Sequence, residues 1–333
     1  MKACRLCLGA LLLAALVGGI ACAEHRGPFQ PVIYSQPTRY FQYQGLDIAY
    51  LESGSGRPLI LVHGLAGMIS NWDPILTELA GRYRVIALDL PPFGNSAKTR
   101  TDLSIEFYAD LIAALLDHLG LDQASILGHS MGGTVAATFA GRHPERVDKL
   151  ILYSAGGAGQ TEQSGAIKFV MKHPKFVTRW AMRLARWWTR GKSEDEIREI
   201  MIERGKEMGG GTGILSLDTS LHPDLVARLR EQYADFFARL FTSDQRDNYL
   251  AGIIPLLGTV LSYDNPGVLK QIRAPTLMIW GDRDAGPVSV AEYFHSLVPG
   301  SKLVVIENMG HLGLMEQPEK ISQAAIEFLE GRG

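Results

Sequence analysis

The chain has 333 residues, of which 46% are hydrophobic and 20% charged, and its formal net charge is -2. This is the composition of a globular protein with chain enough for a large core. It excludes global nucleic-acid binding, because no basic excess is present to neutralise phosphates.

In chain order, residues 1–23 read as a targeting segment. Lys2 and Arg5 form a basic n-region, Leu6 to Ile20 an apolar h-region, and Ala21-Cys22-Ala23 a small-x-small cleavage site that puts the mature start at Glu24. The apolar run is short for a full span of roughly 20 residues. Two alternatives stand beside cleavage: an uncleaved anchor helix, and a lipoprotein signal with Cys22 lipidated. The expected location is therefore exported, either periplasmic or secreted, with membrane anchoring through Cys22 as the variant case. All three cysteines (Cys4, Cys7, Cys22) fall in this segment. The mature chain then has no disulfide framework, no cysteine metal site and no cysteine nucleophile.

Residues 24–40 read as an irregular leader rich in Pro and Gln. From Phe41 short apolar runs alternate with helical patterns. Leu46 to Leu51, Leu59 to Val62, Arg84 to Leu88, Ala124 to Leu127, Lys149 to Tyr153, Thr276 to Trp280 and Leu303 to Ile306 have the length and continuity of strands buried on both faces. Ile105 to Leu119, Met131 to His143, Val288 to Leu297 and Pro318 to Leu329 have helical periodicity. The alternation predicts an α/β architecture with a doubly wound, mostly parallel sheet. Its core occupies 41–158 and 266–333. Between them, 159–265 shows helical patterns without a buried strand, which predicts a helical cap or lid. The run Gly209-Gly210-Gly211-Thr212-Gly213 reads as a flexible joint within it.

Gly128-His129-Ser130-Met131-Gly132 lies between the strand ending at Leu127 and a predicted helix. This is the G-x-S-x-G nucleophile elbow in its strand–turn–helix setting. Gly128 and Gly132 remove side chains that would collide in so tight a turn, and Ser130 sits at its tip as candidate nucleophile. The helix starting at Met131 points amide groups at the site, which favours a developing oxyanion. A second amide is needed, and His63-Gly64-Leu65-Ala66-Gly67 after a buried strand supplies Leu65. His63 is expected to hold that loop rather than act as a base.

These motifs resemble those of the α/β-hydrolase superfamily, in particular its capped serine esterase and lipase branch. The similarity covers roughly Phe41 to the C-terminus and is loosest in the cap. Asp89-Leu90-Pro91-Pro92-Phe93-Gly94-Asn95-Ser96 is similar to a loop these proteins carry after the third strand, with Pro92 where the family commonly has Gly. The resemblance implies the order nucleophile, acid, histidine. His311, in Asn308-Met309-Gly310-His311 after the last strand, then is the base. The other histidines fit less well: His118, His143 and His295 lie in or at the end of helices, His173 and His222 in the cap, and the elbow turns His129 away. After the penultimate strand, Asp282 and Asp284 compete for the acid. The family pattern falls on Asp284, leaving Asp282 as a turn residue bonded to nearby backbone.

The implied chemistry is ester hydrolysis by Ser130, His311 and Asp284, with no metal or organic cofactor. Epoxide hydrolase and dehalogenase chemistry is disfavoured, because those enzymes use a carboxylate where this chain has Ser130. Two further readings remain: a carbon–carbon bond hydrolase of ring-cleavage products with the same triad, and a non-catalytic ligand-binding member of the fold.

Residues 165–192 carry eight Lys or Arg and no Asp or Glu. On a helical wheel Arg179, Arg183, Arg186 and Arg190 fall on one face, and Phe176, Trp180, Leu184, Trp187 and Trp188 on the other. Either the aromatic face covers the active site while the arginines face water, or the 176–190 helix touches a membrane surface. The two are compatible, and the expected partner is a small-molecule or lipid ester met near an envelope membrane.

Overall fold

The computed structural model describes residues 27–99, 103–156, 165–208, 222–263 and 265–332. The targeting segment 1–23 with Cys22, and the glycine joint at 209–213, lie outside the described residues. Among the described residues one sheet forms from β1 (Arg39–Tyr43), β2 (Leu46–Ser53), β3 (Pro58–Val62), β4 (Arg84–Leu88), β5 (Ala124–His129), β6 (Val147–Tyr153), β7 (Thr276–Gly281) and β8 (Lys302–Ile306). Its order is β1-β2-β4-β3-β5-β6-β7-β8. The β1–β2 and β2–β4 pairs are antiparallel and the rest parallel.

The strands form where apolar runs are continuous. Leu59 to Val62, Val85 to Leu88 and Leu277 to Trp280 are buried along their length, as expected for strands covered on both faces. Right-handed crossovers then dictate the layers. The chain steps one way from β3 to β4 and the other way from β4 to β5, so the two connecting helices fall on opposite faces. Accordingly, helix Ile105–His118 packs beside helix Met131–Arg142, and helix Asp73–Ala80 beside helix Pro318–Leu329. Ser104 caps the first of these by accepting from the Phe107 amide at 3.0 Å. The reversal makes the crevice between the carboxyl ends of β3 and β5 a topological switch point, the place where such sheets take ligands.

Between β6 and β7 the described residues form helices Gly165–Lys172, Pro174–Trp188, Glu194–Met208, Pro223–Thr242 and Arg246–Ser262, with no strand. The last lies over the loop after β4: Tyr249 stacks edge-on against Phe93, and a Cβ on Gly252 would sit 2.9 Å from the Thr99 carbonyl.

The structure departs from the sequence reading in three places. β1 begins at Arg39, inside the expected leader, because its Phe41 is buried while its neighbours face water. Residues 27–38 lack regular structure yet are tied into the core. Val32 and Asn95 exchange two hydrogen bonds of 2.7 and 2.9 Å, and the Tyr34 hydroxyl donates to Asp89 at 2.8 Å. Third, the helix Pro174–Trp188 does not separate aromatics from arginines. Its inner face carries Thr178, Ala181, Ala185 and Trp188, while Phe176 and Trp180 share the exposed face with Arg179 and Arg183. At 100° per residue Phe176 and Trp180 border the arginine arc, whereas Trp188 lies well round the cylinder, so the two-face division drew the aromatic arc too wide.

Candidate active site

β5 ends at His129 and the next helix starts at Met131, so Ser130 alone turns the chain. It does so at φ 54° and ψ -119°, a conformation that favours glycine. Backbone bonds hold it there. The Ser130 amide donates to the Tyr153 carbonyl at 3.0 Å, and the Ser130 carbonyl accepts from Gly133, Thr134 and Gly156. The flanking glycines are required by contact. A Cβ on Gly128 would lie 2.2 Å from the Gly132 carbonyl oxygen, and one on Gly132 would lie 2.0 Å from that of Val62.

The carboxyl ends of β7 and β8 bring the other two residues to this tip. His311 Nε2 lies 3.0 Å from Ser130 Oγ, and His311 Nδ1 lies 2.9 Å from Asp284 Oδ1. The Asp284 side chain is 1% exposed and that of His311 15%. Burial pushes the Asp284 carboxyl upward, but the hydrogen bond and charge of His311, the nearby Ser154 hydroxyl and the Gly286 amide outweigh it and hold the carboxyl below its ordinary value. Asp284 is therefore a buried anion that accepts a hydrogen bond from His311 Nδ1–H and leaves Nε2 free to accept from Ser130. Asp282 is exposed and accepts from the Met309 amide at 3.3 Å. Gly281 permits the two loops to meet, since a Cβ there would be 2.0 Å from the Met309 carbonyl oxygen.

Several supporting residues escaped the sequence reading. His129 does turn from Ser130, but onto the His311 loop: its Nε2–H donates to the His311 carbonyl at 2.9 Å and its ring stacks on Tyr153. The Tyr153 hydroxyl donates to the same carbonyl at 3.1 Å, and the Glu316 carboxylate accepts from the Gly310 amide. His311 is thus fixed through its backbone as well as through its ring. The bonds from His129 and Tyr153 join residues over 150 positions apart, and no local pattern announces them.

His63 is buried and holds its loop. Its Nδ1–H donates to the Gly64 carbonyl at 2.7 Å, and Nε2 accepts from the Leu90 amide at 2.9 Å. Desolvation lowers its pKa to about 4, and the bond to Gly64 only partly opposes this. A Cβ on Gly64 would approach Ser130 Cβ at 3.0 Å, so the backbone entering Leu65 passes directly beside the serine. Among the described residues the Leu65 and Met131 amides have no protein acceptor. Pro91–Pro92 in the neighbouring loop is a cis peptide bond. The described residues contain no cluster of three or more His, Cys, Asp or Glu arranged to hold a metal.

The family model described as "alpha/beta hydrolase fold" matches residues 57–318, more than half of the chain. A thermophilic esterase from Thermogutta terrifontis superposes with a TM-score of 0.65 at 27% identity, over 89% of this chain and 98% of the other. A bacterial membrane phospholipase A superposes with a TM-score of 0.64 at 28% identity, over 89% and 86%. The 2-hydroxy-6-oxo-6-(2'-aminophenyl)hexa-2,4-dienoic acid hydrolase of Metapseudomonas resinovorans is 28% identical over 303 residues, 88% of this chain and 91% of its own length. With the sheet order, the serine turn and this match over most of its length, the chain belongs to the α/β-hydrolase fold family.

Proposed function

We propose that the protein hydrolyses carboxylic esters of apolar or lipid-like substrates through an acyl-enzyme on Ser130. The observation that carries this reading is the continuous line from Ser130 Oγ through His311 to the buried anionic Asp284. Ser130 Oγ bonds to the acyl carbon as its proton passes to His311 Nε2. The oxyanion that forms is held by the Leu65 and Met131 amides. The ester C–O bond then breaks, and His311 gives its proton to the departing alcohol. Water repeats the sequence on the acyl-enzyme, returning Ser130 and releasing the acid. Asp284 fixes the histidine tautomer and stabilises the imidazolium.

The activities of the two similar structures, an esterase and a phospholipase A, support the ester class. The dienoic acid hydrolase supports a second reading, carbon–carbon bond cleavage with the same three residues. The helices between β6 and β7 act as a cap. Export through residues 1–23 would bring the enzyme to envelope esters.

A p-nitrophenyl ester series of increasing chain length, run beside a ring-cleavage dienoate, separates the two chemistries. The ester reading expects kcat/KM for the best ester to exceed that for the dienoate by about 100-fold or more. The reverse ratio selects the carbon–carbon reading.

A further inference from the structure

Large apolar side chains exposed to solvent are few among the described residues, and three of them stand together. Phe169, Phe176 and Trp180 are 50%, 54% and 44% exposed, and the rings of Phe169 and Phe176 meet edge to face at 6.3 Å. They lie on the helical hairpin Gly165–Lys172 and Pro174–Trp188, flanked by exposed Lys168, Lys172, Lys175, Arg179 and Arg183. No acidic residue occurs from 165 to 192. Arg186 is excluded from this set because it pairs with Asp247. The opposite face of the longer helix is already occupied, with Val177, Ala181, Met182 and Ala185 packed on the core and Trp188 against Phe241. The aromatic face is therefore the outer face of a fully seated helix.

We infer that this face docks on an anionic phospholipid surface, with Phe169, Phe176 and Trp180 entering the headgroup–acyl boundary and the five cations contacting lipid phosphates. Aromatic rings that seek a half-wet apolar phase, ringed by positive charge, match that boundary in both respects. A second copy is a poor occupant, since a twofold contact would press five uncompensated cations against five. The chain path agrees. The Gly27 carbonyl accepts from the Asp244 amide at 3.0 Å, at the end of helix Pro223–Thr242, whose Phe241 packs on Trp188. Gly27 is thus joined to the same helical layer. The surface does not depend on the chemistry at Ser130.

The test uses the full chain reconstituted with vesicles rich in phosphatidylglycerol whose acyl chains are brominated near the headgroup. Bromine quenches tryptophan only in contact with lipid, so the measurement reports this face whether or not the N-terminal segment also holds the membrane. Quenching is expected in wild type and should fall in Trp180→Phe, because Trp72, Trp188 and Trp280 are buried and Trp187 is partly buried against neighbouring helices. Each basic residue near an anionic surface is worth about fivefold in partitioning, so Lys175→Glu/Arg179→Glu/Arg183→Glu should weaken contact about 100-fold or more. Turnover of a soluble short-chain ester should be unchanged in both variants, which separates this inference from the catalytic reading. Equal quenching in wild type and Trp180→Phe overturns the proposal, as does equal quenching on pure phosphatidylcholine. A wild-type dimer that the charge variant dissociates would make a second copy the occupant and also overturns it.

A second observation stands apart from the first. Ser154 follows β6 at φ 46°, and its buried hydroxyl has no hydrogen-bond partner; nor does Asp284 Oδ2. The two residues leave the ends of adjacent strands, the Ser154 amide donating to the Ile279 carbonyl at 2.9 Å. Among the described residues, two buried polar atoms without partners thus follow neighbouring parallel strands. We propose that Ser154 is a positioning residue that closes this gap, donating to Asp284 Oδ2 when the imidazolium forms. His311, the Gly286 amide and Ser154 face the carboxylate, with the buried His129 and Tyr153 also within reach of its charge. This rests on the catalytic reading. Without that bond the imidazolium is less stable and His311 releases its proton more readily. Ser154→Ala should therefore shift the acidic limb of the kcat/KM profile to lower pH and lower kcat about tenfold. A profile that superimposes on wild type overturns the role. Turnover that persists in Ser130→Ala would instead remove the catalytic reading itself.

Discussion

Ser130 holds a side chain where the backbone angles suit glycine, and such positions cost about 1–3 kcal/mol each. The strain lifts Oγ clear of the sheet, toward His311. Ser130→Gly is expected to abolish ester turnover while raising the unfolding free energy by about 1 kcal/mol, read by denaturant titration. A variant both inactive and less stable would mean that the hydroxyl, not the turn, was the favourable term. Asp284→Asn should leave the fold intact and lower kcat by about 10³–10⁴-fold, because the amide favours the wrong histidine tautomer. Asp282→Asn should change kcat by less than about threefold, its side chain being exposed and bonded only to loop backbone. The two aspartates show how far local pattern reaches. Spacing alone left them as equals, a family resemblance favoured Asp284, and only the fold separates the 1% exposed carboxylate on His311 from the exposed one beside it.

The elements that carry the site meet at points where glycine is needed. Gly132 lies under the Val62 carbonyl of β3, which the sheet cannot move. Gly132→Ala should cost about 3 kcal/mol or more and lower the thermal midpoint, measured by calorimetry, while Gly81→Ala, at φ -65° and with nothing nearer than 3.4 Å to its Cβ, sets the baseline. The turn was legible in the sequence because its chemistry is local: five consecutive residues, a strand before and a helix after. The buried strands were legible for the same reason, as continuous apolar runs. The short β1 was not, since only Phe41 among its residues is buried. Nor was the outer face of helix Pro174–Trp188, because a wheel gives the order of side chains around a cylinder but not which arc the rest of the protein covers.

Across the whole molecule, two buried neutral histidines tie the nucleophile's surroundings together. Desolvation lowers the pKa of His63 from 6.5 to about 4 and that of His129 to about 3, with the neighbouring His311 adding to the second. Below pH 6.5 the unfolded chain takes up these protons and the folded chain does not. Stability is therefore complete above that pH and falls as pH drops from 6.5 toward about 4 for His63 and about 3 for His129. His63 alone is worth about 3 kcal/mol across this window. Urea midpoints measured from pH 7 to pH 4 should decline, and His129→Gln should decline less steeply; a flat wild-type series would contradict the burial argument. His129 and Tyr153 anchor the His311 loop through contacts that span more than 150 positions of sequence, which is why the candidate triad was legible before what holds it.

The central claim is that Ser130 is the nucleophile and His311 its base. Incubation of folded protein with a fluorophosphonate, followed by intact mass and peptide mapping, tests it directly. One adduct per chain on the peptide containing Ser130 is expected, absent in Ser130→Ala and slowed by about 10³-fold or more in His311→Ala. No adduct on folded protein, an adduct on another residue, or labelling that survives Ser130→Ala would contradict it.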